Sequence, residues 1–332
     1  DELDLIVVDH PQVKASFALQ GAHLLSWKPA GEEEVLWLSN NTPFKNGVAI
    51  RGGVPVCWPW FGPAAQQGLP AHGFARNLPW TLKSHREDAD GVALTFELTQ
   101  SEETKKFWPH DFTLLAHFRV GKTCEIDLEA HGEFETTSAL HTYFNVGDIA
   151  KVSVSGLGDR FIDKVNDAKE DVLTDGIQTF PDRTDRVYLN PQDCSVINDE
   201  ALNRIIAVGH QHHLNVVGWN PGPALSVSMG DMPDETALPV DLLFDLFRHD
   251  AGGLGEAADL VPAPFAHGLE ADGRIVGERT VIARRNPLGH FGHEDDGLGE
   301  MAHEGPPPQE RQPEPGQEQG HGEAQFEEMP VS

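Results

Sequence analysis

The 332-residue chain is short of positive charge, of cysteine and of long apolar runs. It carries 24 Lys+Arg against 53 Asp+Glu, a formal net charge of −29. A field of that sign repels nucleic acid and anionic membrane, so neither is an expected partner. An anionic substrate would need a local basic pocket to overcome it. The three cysteines, Cys57, Cys124 and Cys194, are odd in number, widely spaced and form no CxxC. They indicate neither a disulfide framework nor a thiolate zinc site, and a reducing cytoplasm is the simplest location. No apolar run reaches the roughly eighteen residues of a membrane-spanning helix. Gly-rich phosphate loops of the GxGxxG or P-loop type are absent, which argues against a nucleotide enzyme. The chain opens at Asp1 rather than Met, which fits a processed or truncated start.

What is present, up to about residue 235, is strand-like. Apolar and polar residues alternate in Val92-Ala-Leu-Thr-Phe-Glu-Leu98 and Cys124-Glu-Ile-Asp-Leu-Glu129. Further apolar stretches lie at Leu5–Val8, Phe112–Val120, Val152–Ser155, Arg204–Val208, Leu214–Val217 and Ala224–Ser228. Gly, Asn, Asp and Pro punctuate them, and long helical periodicity is absent. Many short strands with regular turn signals predict an all-β sandwich or barrel.

The texture changes near residue 235. Lys169 is the last lysine. Residues 236–332 hold six Arg, no Lys and nineteen Asp+Glu, and 14 Gly with 10 Pro among 97 residues. Apolar pieces at Leu242–Phe244, Arg274–Val276 and Thr280–Ala283 do not continue the strand rhythm. Beyond about Glu304 the composition is that of a disordered segment. Two regions are therefore expected: a β-sandwich over 1–235 and a mostly disordered Gly/Pro/acid-rich tail over 236–332.

Candidate chemistry centres on Arg51-Gly-Gly-Val-Pro-Val-Cys-Trp-Pro-Trp-Phe-Gly62, followed by His72-Gly-Phe-Ala-Arg76. Nine of those first twelve residues are Gly, Pro, aromatic or Arg. Gly and Pro fix unusual backbone geometry, and Trp58, Trp60 and Phe61 offer flat apolar walls. Arg51 and Arg76 are planar forks suited to phosphate or carboxylate. A rigid loop that stacks a ring and holds an anion is what a sugar-phosphate site needs. Structural arginines, stacked on tryptophan or paired with surface acids, are the competing reading. His72 either orients a hydroxyl or caps a turn. His141, in Leu140-His-Thr-Tyr-Phe-Asn145, is poised for proton transfer, although a half-buried histidine bonded to backbone has the same signature. Asp185, in Thr184-Asp-Arg-Val-Tyr188, either accepts sugar hydroxyls or is a solvated turn acid. His210, His212 and His213 cluster, but no carboxylate motif completes a metal site, so no metal is expected.

These motifs, with Val217-Gly-Trp-Asn-Pro221 after them, recur in one order in a known family. The chain resembles the bacterial hexose-6-phosphate mutarotases (glucose-6-phosphate 1-epimerases) of the aldose 1-epimerase superfamily, over residues 1 to about 234. The resemblance implies a galactose-mutarotase-like β-supersandwich that interconverts the α and β anomers of an aldohexose 6-phosphate, without a cofactor and as a monomer. A His protonates the ring oxygen while a Glu takes the C1 hydroxyl proton. The ring then opens, the aldehyde turns, and closure follows on the other face. Carried over by motif, His141 is the acid, Arg51 and Arg76 bind phosphate, Asp185 and His72 hold hydroxyls, and Trp60 walls the pocket.

The resemblance stops after Asp231-Met-Pro-Asp234. The family continues with a Gly-Tyr turn and a strand Val-Cys-Val-Glu, whose Glu is the base. Here the chain reads Glu235-Thr-Ala-Leu-Pro-Val-Asp-Leu-Leu-Phe-Asp245. A frame shift or gene fusion would produce such a join. Asp241 and Asp245 are the nearest carboxylates, but Pro239 is expected to interrupt the strand and neither falls in register. The expectations are a sandwich truncated at its C-terminal strands, an exposed apolar sheet edge and impaired turnover. A non-catalytic sugar-phosphate binding module or an inactive chimeric product is the alternative.

Overall fold

In the computed structural model, residues 3–211 and 214–232 are described in full, with the backbone of 240–246, 274–285 and 328–330. The first strands are β1 (Asp4–His10), β2 (Val13–Ala18), β3 (His23–Pro29), β4 (Val56–Cys57), β5 (Thr81–Asp88), β6 (Gly91–Thr99), β7 (Phe112–Gly121) and β8 (Cys124–Gly132). Then come β9 (Ser138–Phe144), β10 (Val152–Ser155), β11 (Arg160–Asp163), β12 (Lys169–Val172), β13 (Ile177–Thr179) and β14 (Thr184–Leu189). The last are β15 (Cys194–Asp199), β16 (Arg204–Gln211), β17 (Asn215–Asn220), β18 (Val240–Leu246), β19 (Arg274–Arg285) and β20 (Glu328–Pro330). One five-residue helix, α1 (Gly222–Ser226), follows β17.

Three antiparallel sheets result. Their orders are β20-β1-β2-β3, β13-β10-β15-β16-β19-β8-β7-β6-β5 and β12-β11-β14-β17-β18-β9-β4. The expected all-β supersandwich is what forms. Alternation decides most of it: β7, β8 and β16 bury every second residue, so one face of each packs inward. The core joins Phe17, Phe96 and Phe118, whose rings meet 5.0–5.7 Å apart, with Leu140 and Phe144 of β9.

β9 departs from alternation because all seven of its residues are buried. Leu140 and Phe144 enter the main core. Tyr143 lies on the opposite face with Trp37 and Met232. A strand covered on both sides can carry polar groups only where they are satisfied or functional.

Two backbone segments past the departure correct the sequence reading. β18 pairs with both β17 and β9, so the expected bare sheet edge is covered there. β19 pairs with β16 and β8. Strand pairing is a backbone interaction, and runs such as Val240–Leu246 and Val281–Ile282 have the composition it favours. β18 begins at Val240, directly after Pro239, where a proline costs no ladder bond. β20, in the part of the tail expected to be disordered, pairs with β1; the remaining tail residues, and His212 and His213, lie outside the described residues.

Candidate active site

The Arg51 loop lies along β9. His141 N–H donates to Pro55 O at 3.0 Å, and Tyr143 N–H donates to Gly53 O at 2.9 Å. Gly53 must be glycine: at φ +63° a Cβ would stand 2.3 Å from Leu24 O. This edge-to-edge run sets Arg51 beside Tyr143. The guanidinium donates from Nη1 to Tyr143 Oη at 3.0 Å and from Nε to Asp231 Oδ2 at 2.9 Å. Nη2 makes no bond among the described residues. Burial opposes its charge, but Tyr143 and Asp231 outweigh that and raise its pKa further. Asp231 is placed by Ser39 Oγ, which donates to its carbonyl at 2.5 Å.

His72 and Arg76 come from the next turn. His72 sits at φ +65°, unusual for a non-glycine residue and of a kind found at functional sites. Gly62 N–H donates to its Nδ1 at 3.1 Å, and its own N–H returns to Gly62 O at 2.7 Å. The neutral ring therefore carries its proton on Nε2. Burial, then Arg76, Lys164 and Arg51, lower its pKa to about 4. Arg76 Nη2 donates to Ala71 O at 3.1 Å, while its buried Nε has no partner.

His141 is 8 % exposed. Its ring stacks on Tyr143 at 4.7 Å and 16°, and meets the His72 ring edge-on at 6.1 Å. Its Nδ1 is buried without a hydrogen-bond partner among the described residues. Burial, then His72, Arg76 and Arg51, hold its pKa well below the ordinary value, so the ring is neutral.

Register carries the site across the sheet. Asp185 pairs with Trp219, Trp219 with Asp241, and Asp241 with Tyr143. The neighbouring row is Val187, Val217, Leu243 and His141. Direct cross-strand partners share a face, so Asp185 faces the same side as His141, with its Cα about 14 Å from that of Tyr143 at the usual strand spacing. Phe61 closes the gap: its ring lies tilted at 43°, 5.0 Å from His72, and packs on Val187 and Val217. Asp185 is half-buried and its pKa is raised, by burial first, against the opposing pull of Lys164 and Arg183.

The structure thus gathers Arg51, His72, Arg76 and His141 within mutual electrostatic reach and sets Asp185 across the same face. Trp60 is half-buried, edge-on to Phe74 at 5.8 Å, with its indole N–H on Pro70 O at 2.9 Å. Trp58, read as a pocket wall, is instead core. It is 1 % exposed and ringed by Phe74, Trp108, Phe112 and Phe134 at 4.7–5.8 Å. His210 faces inward, with Ser195 Oγ at 3.3 Å from its Nε2. Neither Asp241 nor Asp245 stands opposite His141, where Leu243 does. Three participants went unread: Asp231, Lys164 and the role of Tyr143. Only Tyr143 had a signal, since it is two residues from His141 on one strand and must share its face.

A sequence profile of the aldose 1-epimerases matches residues 4–242. The chain belongs to that family. A protein of Escherichia coli K12, provisionally named glucose-6-phosphate 1-epimerase, is 98% identical over 235 residues, 71% of this chain and 80% of its own. A namesake in Salmonella typhimurium is 85% identical over the same shares. The crystal structure of a provisionally assigned mutarotase from Salmonella typhimurium superposes with a TM-score of 0.76 at 69% identity, covering 86% of this chain and 92% of that one. As an aldose 1-epimerase family member, the chain carries the architecture of enzymes that exchange sugar anomers. Among its described residues no helix is long and apolar enough to cross a membrane.

Proposed function

We propose that this aldose 1-epimerase family member interconverts the α and β anomers of an aldohexose 6-phosphate, glucose 6-phosphate first among them. The observation that carries this is the convergence of Arg51 and Arg76 on the rings of His72 and His141, in a chain whose net charge is −29. Cations gathered against that field fit an anionic substrate group. In this reading the two arginines hold the phosphate. His72 Nε2–H and the Asp185 carboxyl bind sugar hydroxyls, and Trp60 and Phe61 flank the ring. His141 delivers a proton to the ring oxygen, the C1 hydroxyl loses one to solvent water, and the C1–O5 bond opens to the aldehyde. Rotation about C1–C2 and reclosure invert C1. Proton transfer of this kind contributes about 10²–10⁴-fold. The sequence after Asp234 lacks the family's Val-Cys-Val-Glu strand, so the reading includes slower turnover than an intact relative shows. The names of the relatives support the substrate, since each is called a glucose-6-phosphate 1-epimerase.

The absence of the Val-Cys-Val-Glu strand from the sequence after Asp234 favours a second reading, a sugar-phosphate binding module without turnover. Exchange between the anomers of glucose 6-phosphate, followed by NMR with and without the folded chain, separates the two. Acceleration lost in His141→Asn supports the enzyme. Saturable binding without acceleration overturns it in favour of the binding module.

A further inference from the structure

Among the described residues His141 has no hydrogen bond at Nδ1 to fix its ring. What holds the ring plane is the near-parallel face of Tyr143, 4.7 Å away at 16°. Tyr143 is itself immobilised. It is 2 % exposed, tilted against Trp37 at 5.8 Å, and tied by its backbone to Gly53 and Trp37 at 2.9 Å each. Its hydroxyl accepts from Arg51 Nη1 at 3.0 Å, while Asp231 holds Nε of the same fork at 2.9 Å. One rigid side chain thus touches both halves of the site.

We propose that Tyr143 is a positioning residue that couples anion binding to the imidazole, its ring setting the plane of His141 and its hydroxyl fixing the fork of Arg51. The inference rests on the reading of Arg51 as an anion ligand. With Nε and Nη1 pinned, the fork meets a tetrahedral anion in one orientation, and less rotamer freedom is lost on binding. An anion that pulls on Arg51 also pulls on the phenol, and so on the imidazole stacked against it. Truncation at the hydroxyl breaks the coupling and leaves the stack. Truncation of the ring breaks both.

The test uses the full chain, Tyr143→Phe and Tyr143→Leu, with inorganic phosphate as the probe. Phosphate affinity is measured by calorimetry. The His141 ring resonances, assigned by their loss in His141→Asn, are followed by NMR. In the unaltered chain, phosphate is expected to move those resonances. In Tyr143→Phe the dissociation constant rises about tenfold, the worth of one hydrogen bond to a charged group. There the His141 response at saturation shrinks to what the anion's charge does through Arg51 and Arg76, while the ring's resting resonance stays in place. In Tyr143→Leu the resting resonance moves as well. Should that variant fail to fold, Tyr143→Phe, which removes one oxygen, decides alone. Phosphate affinity within twofold of the unaltered chain, with an intact His141 response, overturns the proposal, as does an unaltered chain in which phosphate leaves His141 unmoved. Coupling without anomer exchange overturns the proposed enzyme activity instead and leaves the role of Tyr143 standing.

Discussion

Gly73 is the backbone hinge of the candidate site, and Gly73→Ala shows how much depends on it. Its φ is +71°, and a Cβ there would lie 2.0 Å from Trp58 O and 2.3 Å from Trp58 C. That carbonyl cannot step aside cheaply, because it accepts from Phe74 N–H at 3.0 Å and Ala75 N–H at 3.1 Å. The left-handed conformation costs alanine about 1–2 kcal/mol. Loss of the two hydrogen bonds adds about 1 kcal/mol each. The sum is about 3–4 kcal/mol, a large part of the roughly 5–15 kcal/mol that a domain has. Gly31 is the matched control: its φ is +77°, with nothing within 4 Å of a built Cβ. Gly31→Ala should cost only about 1–2 kcal/mol, the conformational part. Urea unfolding read by tryptophan fluorescence gives both numbers. A difference between the two variants below about 1 kcal/mol would refute the claim that the Trp58 carbonyl fixes this turn. The site feels the same change, because Gly73 lies between His72 and Arg76 on the turn that holds them. Phosphate affinity should fall with stability in Gly73→Ala and remain unchanged in Gly31→Ala.

Burial depresses the histidines at 23, 72 and 210 to about 4. The unfolded chain therefore binds protons between pH 6.5 and 4 that the folded chain refuses, so stability is present above pH 6.5 and is lost as pH falls toward 4. Each histidine adds up to about 1.4 kcal/mol per pH unit in that window, and urea midpoints that stay level from pH 7 to 5 would contradict it. Arg204 and Asp199 form a wholly buried pair at 3.3 Å that also ties down the Glu34 and Asn145 carbonyls. Asp199→Asn should cost about 3–5 kcal/mol by stranding the arginine, and a loss below about 1 kcal/mol by urea unfolding would rule that out. Leu243→Glu puts a carboxyl at the register position opposite His141; anomer exchange should rise, by up to about 10²-fold if it serves as the base, and no rise counts against the missing-base account.

Some strands with one face to water were legible, but β2 and β5 were not read, and Ala224–Ser228, read as strand-like, falls in and just after α1. Val92–Leu98 and Cys124–Glu129 alternate because their outward residues stay wet. β9 did not announce itself that way, since burial on both faces removes alternation. It was found through His141, and so the partner face of Tyr143 was passed over. Trp58 and Trp60 are one proline apart, yet one is core and the other borders the site, a distinction that composition does not carry. Arg51 and Asp231 are 180 residues apart, and no local pattern pairs them. The buried Arg204 likewise looked like any surface cation. β18 and β19 were missed for a different reason. Their sequences lack rhythm, but a gap between two strands offers unpaired backbone groups that a tolerant apolar segment can satisfy.

The neutral state of His141 bears directly on the proposed chemistry. Burial is the first cause, His72 the next, and Arg76 and Arg51 add to them. Those two arginines are the groups that the proposed reading gives to phosphate. A dianion on them cancels their push and raises the imidazole toward the range in which it can act as an acid. The phosphate would then do more than bind: energy from a remote, non-reacting group would be spent at the reacting centre. A sugar without phosphate should therefore lose kcat as well as affinity. Glucose supplied together with inorganic phosphate provides the two pieces separately. Anomer exchange of glucose should rise with phosphate concentration and saturate at the dissociation constant that calorimetry gives for phosphate alone. A rate that stays flat through saturating phosphate would mean that the clamp holds substrate without tuning the acid, and that burial alone sets the charge on His141.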